Sequence, residues 1–128
     1  MKCPGGVSII AGIGTDIVDV HRIRRAWERT GEHFLERVFT PEEIRYCRSF
    51  ADPWPHLAAR FAGKESVIKA LGTPIDPRDI EISRHGEAPT VVLRGAAASH
   101  ATRLGIEEVK VSLSHTRDLA VACAAAIG

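Results

Sequence analysis

Two carboxylates in this chain stand where acids are unusual. Asp16 follows a run rich in β-branched residues, "VSIIAGIGTDIV". Glu65 lies in "RFAGKESVIKALG", at the flank of the apolar stripe that Leu57, Phe61, Ile68 and Leu71 form on a 3.6-residue period. Two acids from separate elements, with waters and substrate phosphate oxygens completing the shell, make the usual Mg²⁺ arrangement. Ordinary readings stand beside it: Asp16 as a turn or capping residue, and Glu65 as an i, i+4 ion pair with Lys69. Arg60, Lys64 and Lys69 share the helix of Glu65 and put positive charge beside the acids, a combination suited to phosphate. Arg60 and Lys69 are equally explained by stems lying along the core edge with their heads in water. Lys64, which projects near the centre of the stripe, is not.

"SLSHTRD" places Ser112, Ser114, His115 and Thr116 at a strand end and tight turn, where hydroxyls and amides hold phosphate or simply cap the turn. A Ser114, His115, Asp118 triad is ruled out, because neighbours at a hairpin cannot align nucleophile, base and orienter. "HRIRRAWER" holds four arginines with Glu28 as its only acid. Arg22, Arg25 and Arg29, at i, i+3, i+7, face away from the inward pair Ile23 and Trp27 and form a ridge suited to an acidic helix or a phosphate backbone, or an ordinary solvated face. Without aromatic interleaving the nucleic-acid version is weak.

The elements that must position these groups are legible from period and punctuation. "VSIIAGIG" reads as a buried strand running into a loop that carries Asp16 at the strand end. A helical region broken near Gly31 follows, then a helix announced by Thr40 as N-cap, Pro41 in the first turn and Glu43 closing a capping box. The long helix runs from about His56 to Leu71, with Gly72 placed for a left-handed cap. Beyond the Pro-rich "TPIDPRD" loop come a hairpin of "DIEIS" and "TVVLR", an Ala-rich helix stopped by Gly105, and a second hairpin of "EVKVSLSH" and "LAVACAAAI". The mixture predicts an α+β domain with an antiparallel sheet and a long central helix. At 128 residues and 45% hydrophobic the chain fits one domain over residues 1–128, with "MKCPGG" as a loose leader. A net charge of +1 excludes general affinity for nucleic acid. The odd count of three cysteines suits reduced thiols and a cytoplasmic protein, and the apolar run near the N-terminus is too short to span a bilayer.

Taken together, "GIGTDIVDVHRI", "VFTPEEIRYC", "LAARFAGKESVIKALG" and "VSLSHTRDLAVA", in that order over roughly residues 9 to 123, resemble the holo-acyl-carrier-protein synthase family, the short class of 4′-phosphopantetheinyl transferases. The resemblance implies transfer of 4′-phosphopantetheine from coenzyme A to a serine of apo acyl carrier protein, with Mg²⁺ as cofactor. It puts the metal on Asp16 and Glu65, and the chemistry around Glu65, Lys69 and His115. Arg60, Lys64, Ser114 and Thr116 join Lys69 and His115 around coenzyme A, and Arg22, Arg25 and Arg29 face the carrier protein. It leaves a metal-bound water or Glu65 as proton acceptor. Because this chain is a single unit where broader transferases resemble two fused ones, it also implies a cytoplasmic homotrimer with sites between subunits. Gly63, Ser66, Leu119 and "GEAP" depart from the family pattern. A Mg²⁺-dependent phosphohydrolase and a coenzyme A-binding module without transfer are the rival functions.

Overall fold

The computed structural model describes residues 2–3, 6–86 and 88–128. Its centre is one helix lying on a three-stranded antiparallel sheet. The strands are β3 (Ile10–Asp19), β6 (Glu108–His115) and β7 (Leu119–Ile127), in the spatial order β3-β7-β6. The helix, α4 (Trp54–Leu71), ends as the sequence predicts: Gly72 adopts φ +75° and its N–H donates to the Ile68 carbonyl. β7 presents Ala120, Ala122, Ala124 and Ala126 to the helix. Four small side chains in a row let α4 settle close to the sheet.

Close approach also explains Gly12 and Gly14. A Cβ on Gly12 would run into the Ala70 carbonyl oxygen, and one on Gly14 into that of Ser66. The two glycines are therefore where strand and helix backbones touch, and the strand continues through them. The expectation of a loop here is corrected: Asp16 lies inside β3, paired opposite Ala122.

Around this pair, α1 (Val20–Thr30) starts on Asp19, whose carboxylate accepts from the His21 N–H at 2.8 Å. Gly31, at φ +69°, separates it from α2 (Glu32–Val38), and α3 (Pro41–Arg48) opens with the predicted capping box of Thr40 and Glu43. Val18, Ile23, Leu35, Phe39 and Leu57 fill the space between these helices, α4 and the sheet. A second apolar cluster, centred on Val67, Leu71, Ile80 and Ile106, lies under the hairpin of β4 (Ile80–His85) and β5 (Ala88–Leu93) and under α5 (Gly95–Arg103). Of the leader, Met1, Pro4 and Gly5 lie outside the described residues, as does Glu87 of "GEAP". Lys2–Cys3 (β1) pairs with Val7–Ser8 (β2) in a two-rung ribbon.

Candidate active site

The packing of β3 on α4 decides the geometry of the carboxylates. Asp16 shares the helix-covered face of the sheet with Ala122 and Leu113 in one cross-strand row. Lys69, one turn beyond Glu65 on α4, reaches down to β3, where its Nζ donates to the Thr15 carbonyl at 2.9 Å and to Asp16 Oδ1 at 3.3 Å. Lys69 thus partners Asp16, across the interface between elements. Glu65 is half-buried beside them. Burial first, and then the negative charge of Asp16, hold its carboxyl above the ordinary carboxylate range, while Lys69 and Arg22 pull it down. Two acids close enough to repel each other fit a divalent cation. Among the described residues no set of three or more His, Cys, Asp or Glu groups meets there. An ion held by Asp16 and Glu65 would therefore complete its shell with water or phosphate oxygens, as Mg²⁺ does.

A different group gathers at the other flank of α4. Arg60 does not stand beside the acids, as its place in the sequence suggested; it is 4% exposed, with its guanidinium carbon 4.3 Å from the centre of the Tyr46 ring. It lines a cavity of about 530 Å³ with Phe50, His56, Arg84, Ser114 and His115. The Val18, Ala120, His115 row neighbours that of Asp16, so His115 faces the same side of the sheet but from β6. With β7 between them, the strands carrying Asp16 and His115 are about 10 Å apart. Thr116 holds the turn: its Oγ1 accepts from the amides of Asp118 and Leu119, which leaves its hydroxyl proton for any other partner. Among the members of the cavity that the sequence does not single out are Phe50, His56 and Arg84. The i, i+4 spacing of His56 and Arg60 on the predicted helix was the available signal.

Lys64 is a correction. The family pattern placed it with coenzyme A, but it is 1% exposed and points into the core. Its Nζ donates to the carbonyls of Pro77 and Ile80, both at 2.8 Å, and lies 2.5 Å from Glu43 Oε1. Three contacts match the three protons of an ammonium and leave none for a ligand. Glu43, visible in the sequence only as a capping-box residue, is its counter-charge.

The arginines of α1 are exposed. Arg22 and Arg29 line a cavity of about 280 Å³ with Phe34, Arg37 and Phe61, between α1, α2 and α4. Arg22 also acts on Glu65 electrostatically, so the ridge begins beside the acids. The N-terminus of α1 is tied to the turn after β6: Val20 N–H donates to the Asp118 carbonyl at 2.9 Å, and His21 Nε2 lies 2.8 Å from Asp118 Oδ1.

Comparison with known proteins gives one answer. Residues 12–124 match the family model described as the 4′-phosphopantetheinyl transferase superfamily. A holo-[acyl-carrier-protein] synthase of Caldanaerobacter subterraneus subsp. tengcongensis is 48% identical over 121 residues, 91% of this chain and 94% of that protein. The crystal structure of holo-[acyl-carrier-protein] synthase from Neisseria meningitidis superposes with a TM-score of 0.83 at 37% identity, covering 92% of this chain and 98% of that one. The Helicobacter pylori enzyme, solved in complex with coenzyme A, gives 0.78 at 33% identity, with 89% and 98% covered. With carboxylates, cations and fold arranged as described, the chain belongs to the 4′-phosphopantetheinyl transferase superfamily, among its holo-[acyl-carrier-protein] synthases.

Proposed function

We propose that this chain moves the 4′-phosphopantetheine arm of coenzyme A to a serine hydroxyl of apo acyl carrier protein, as a Mg²⁺-dependent cytoplasmic enzyme. The serine gives its proton to Glu65 or to a water beside it, its oxygen bonds to the β-phosphorus, the bond from that phosphorus to the bridging oxygen breaks, and adenosine 3′,5′-bisphosphate leaves. The observation that carries this reading is the meeting of Asp16, Glu65 and Lys69 where β3 touches α4, at one end of the arginine ridge. Asp16 and Glu65 would hold Mg²⁺, which when bound neutralises charge on the diphosphate. Lys69, fixed by the Thr15 carbonyl, offers a cation to the same oxygens, and Arg22 stands between the acids and a carrier docked on Arg25 and Arg29. Arg60, Ser114 and His115 supply the polar lining of a second pocket, which takes another phosphate of coenzyme A.

Two observations support a homotrimer. The face of the sheet turned away from α4 exposes Ile13 at 72% and Ile17 at 64%, with Leu119 and Val121 beside them, an apolar surface that a second copy would cover. The carboxylates and the His115 pocket also lie on opposite flanks of one helix, so a substrate bridging subunits would use one group from each. Among the described residues no helix is long and apolar enough to cross a membrane.

The test is intact-mass spectrometry of an apo carrier protein incubated with enzyme, coenzyme A and Mg²⁺, which should gain one phosphopantetheine. Glu65→Gln should keep the circular dichroism of the parent and lower turnover on the order of 100-fold, the several kcal/mol of lost charge stabilisation. Bisphosphate release with an unmodified carrier would identify a hydrolase, and full activity of the variant would remove Glu65 from the site.

A further inference from the structure

The pocket at the His115 end of α4 contains a residue that the family resemblance does not carry. His56 stands one turn before Arg60, its ring stacked on Phe50 with centroids 3.6 Å apart and planes at 13°, and edge-on to His115 at 5.0 Å. Among the described residues the walls hold Arg60, Arg84, His56 and His115 and no Asp or Glu. Nε of Arg60 is buried without a hydrogen-bond partner, although the residue is only 4% exposed. A buried guanidinium N–H with no partner among the described residues, in a pocket whose described lining carries four basic side chains and no acid, is a demand for an anion.

We propose that His56 is a phosphate-binding residue of this pocket, gaining its proton as a phosphate of coenzyme A enters, so that phosphate recognition here is linked to proton uptake. This rests on the function proposed above. The groups facing His56 are His115 on β6, Arg84 on β4, Arg60 on its own helix and Asp52 just before that helix. Burial, then His115 and Arg60, with a smaller push from Arg84, keep the imidazole below its ordinary value against the opposing pull of Asp52. Buried beside two guanidinium groups, the ring stays neutral near pH 7. A phosphate dianion reverses the sign of the local field and favours the imidazolium, which then donates to the phosphate. Phe50 holds the ring in place by stacking, so little rotamer freedom is lost on binding. Between the pKa values of the free and liganded states, linkage makes affinity rise as pH falls, by up to about tenfold per pH unit for one proton taken up.

The measurement is titration calorimetry of coenzyme A into the intact protein between pH 6 and 8, in buffers of different ionisation enthalpy, which reads proton uptake directly. The parent should take up a fraction of a proton that rises and falls across this range. His56→Phe, which keeps the ring stack, and His56→Gln should both lower that uptake and flatten the pH dependence of Kd. The phosphate's own titration, near pH 6, is common to all variants and cancels in the comparison. Unchanged uptake in both His56 variants, or uptake lost only in His115→Gln, would overturn the proposal while leaving coenzyme A binding and transfer intact. A parent protein that neither binds coenzyme A nor adds mass to the carrier would overturn this inference together with the function on which it rests.

Discussion

Lys64 and Glu43 show how far a residue's role depends on what lies across from it. Lys64 ties α4 to Pro77 in the segment before β4 and to Ile80, the first residue of β4, and Glu43 ties α3 to β4, since its Oε2 accepts from Ile82 N–H at 2.8 Å while Oε1 accepts from Thr40 N–H at 2.8 Å. Lys64→Met should therefore leave a carboxylate buried without its cation and cost about 3–5 kcal/mol in urea denaturation. The double variant Lys64→Met/Glu43→Gln should recover part of that loss, because a neutral amide no longer needs the ammonium, but not all of it, because the amide NH₂ cannot accept from one of the two N–H groups that the carboxylate oxygens serve. A double variant that costs the sum of the Lys64→Met and Glu43→Gln single variants would mean that the pair is not coupled. Glu65 follows Lys64 directly, so the clamp also fixes the rotation of the helix that carries Glu65, the ligand proposed for Mg²⁺.

At the scale of elements, the separation of β3 from α4 is set by glycines, and the carboxylate site inherits that separation. Gly14→Ala would press a methyl group on the Ser66 carbonyl, backbone against backbone, with nothing free to rotate away. The expected cost is at or beyond the upper end of the ~1–3 kcal/mol of overpacking. Gly63→Ala is the contrasting case. Its new methyl would meet only the ends of the Ile82 and Leu113 side chains, which can turn, and alanine regains up to about 1 kcal/mol of helix propensity. Thermal melts should thus rank Gly14→Ala far below Gly63→Ala, and Gly14→Ala should also weaken Mg²⁺ binding by displacing Asp16 from Glu65. A Gly14→Ala protein as stable as the parent would contradict the direct contact of strand and helix.

For the whole molecule, the exposed apolar sheet face and the two-sided arrangement of site residues make the same prediction. Sedimentation velocity should show a trimer, and Ile17→Lys, which places a charge on a residue 64% exposed in the single chain, should yield folded monomers. Transfer activity should fall with the trimer if the site is shared between chains. Monomers of full activity would place the complete site within one subunit.

Period and punctuation in the sequence determine the helices, both hairpins, the capping box at Thr40 and the left-handed cap at Gly72, because these depend on residues within a turn or two of one another. Motif order was enough to identify the family and to bring Asp16, Glu65, Lys69 and His115 forward as candidates. Tertiary structure decided what depends on contacts across the chain. The glycines before Asp16 read locally as a strand end, and only the helix backbone against them shows that the strand continues. Lys64 and Arg60 look alike in sequence as cations beside Glu65, but a helix turns about 100° per residue. Both therefore turn away from Glu65, and because i and i+4 share a face it is their place along the helix that separates them: Lys64 meets the Glu43 carboxylate in the core, and Arg60, one turn earlier, lines a pocket with His56 and His115, which stand 59 positions apart in the chain.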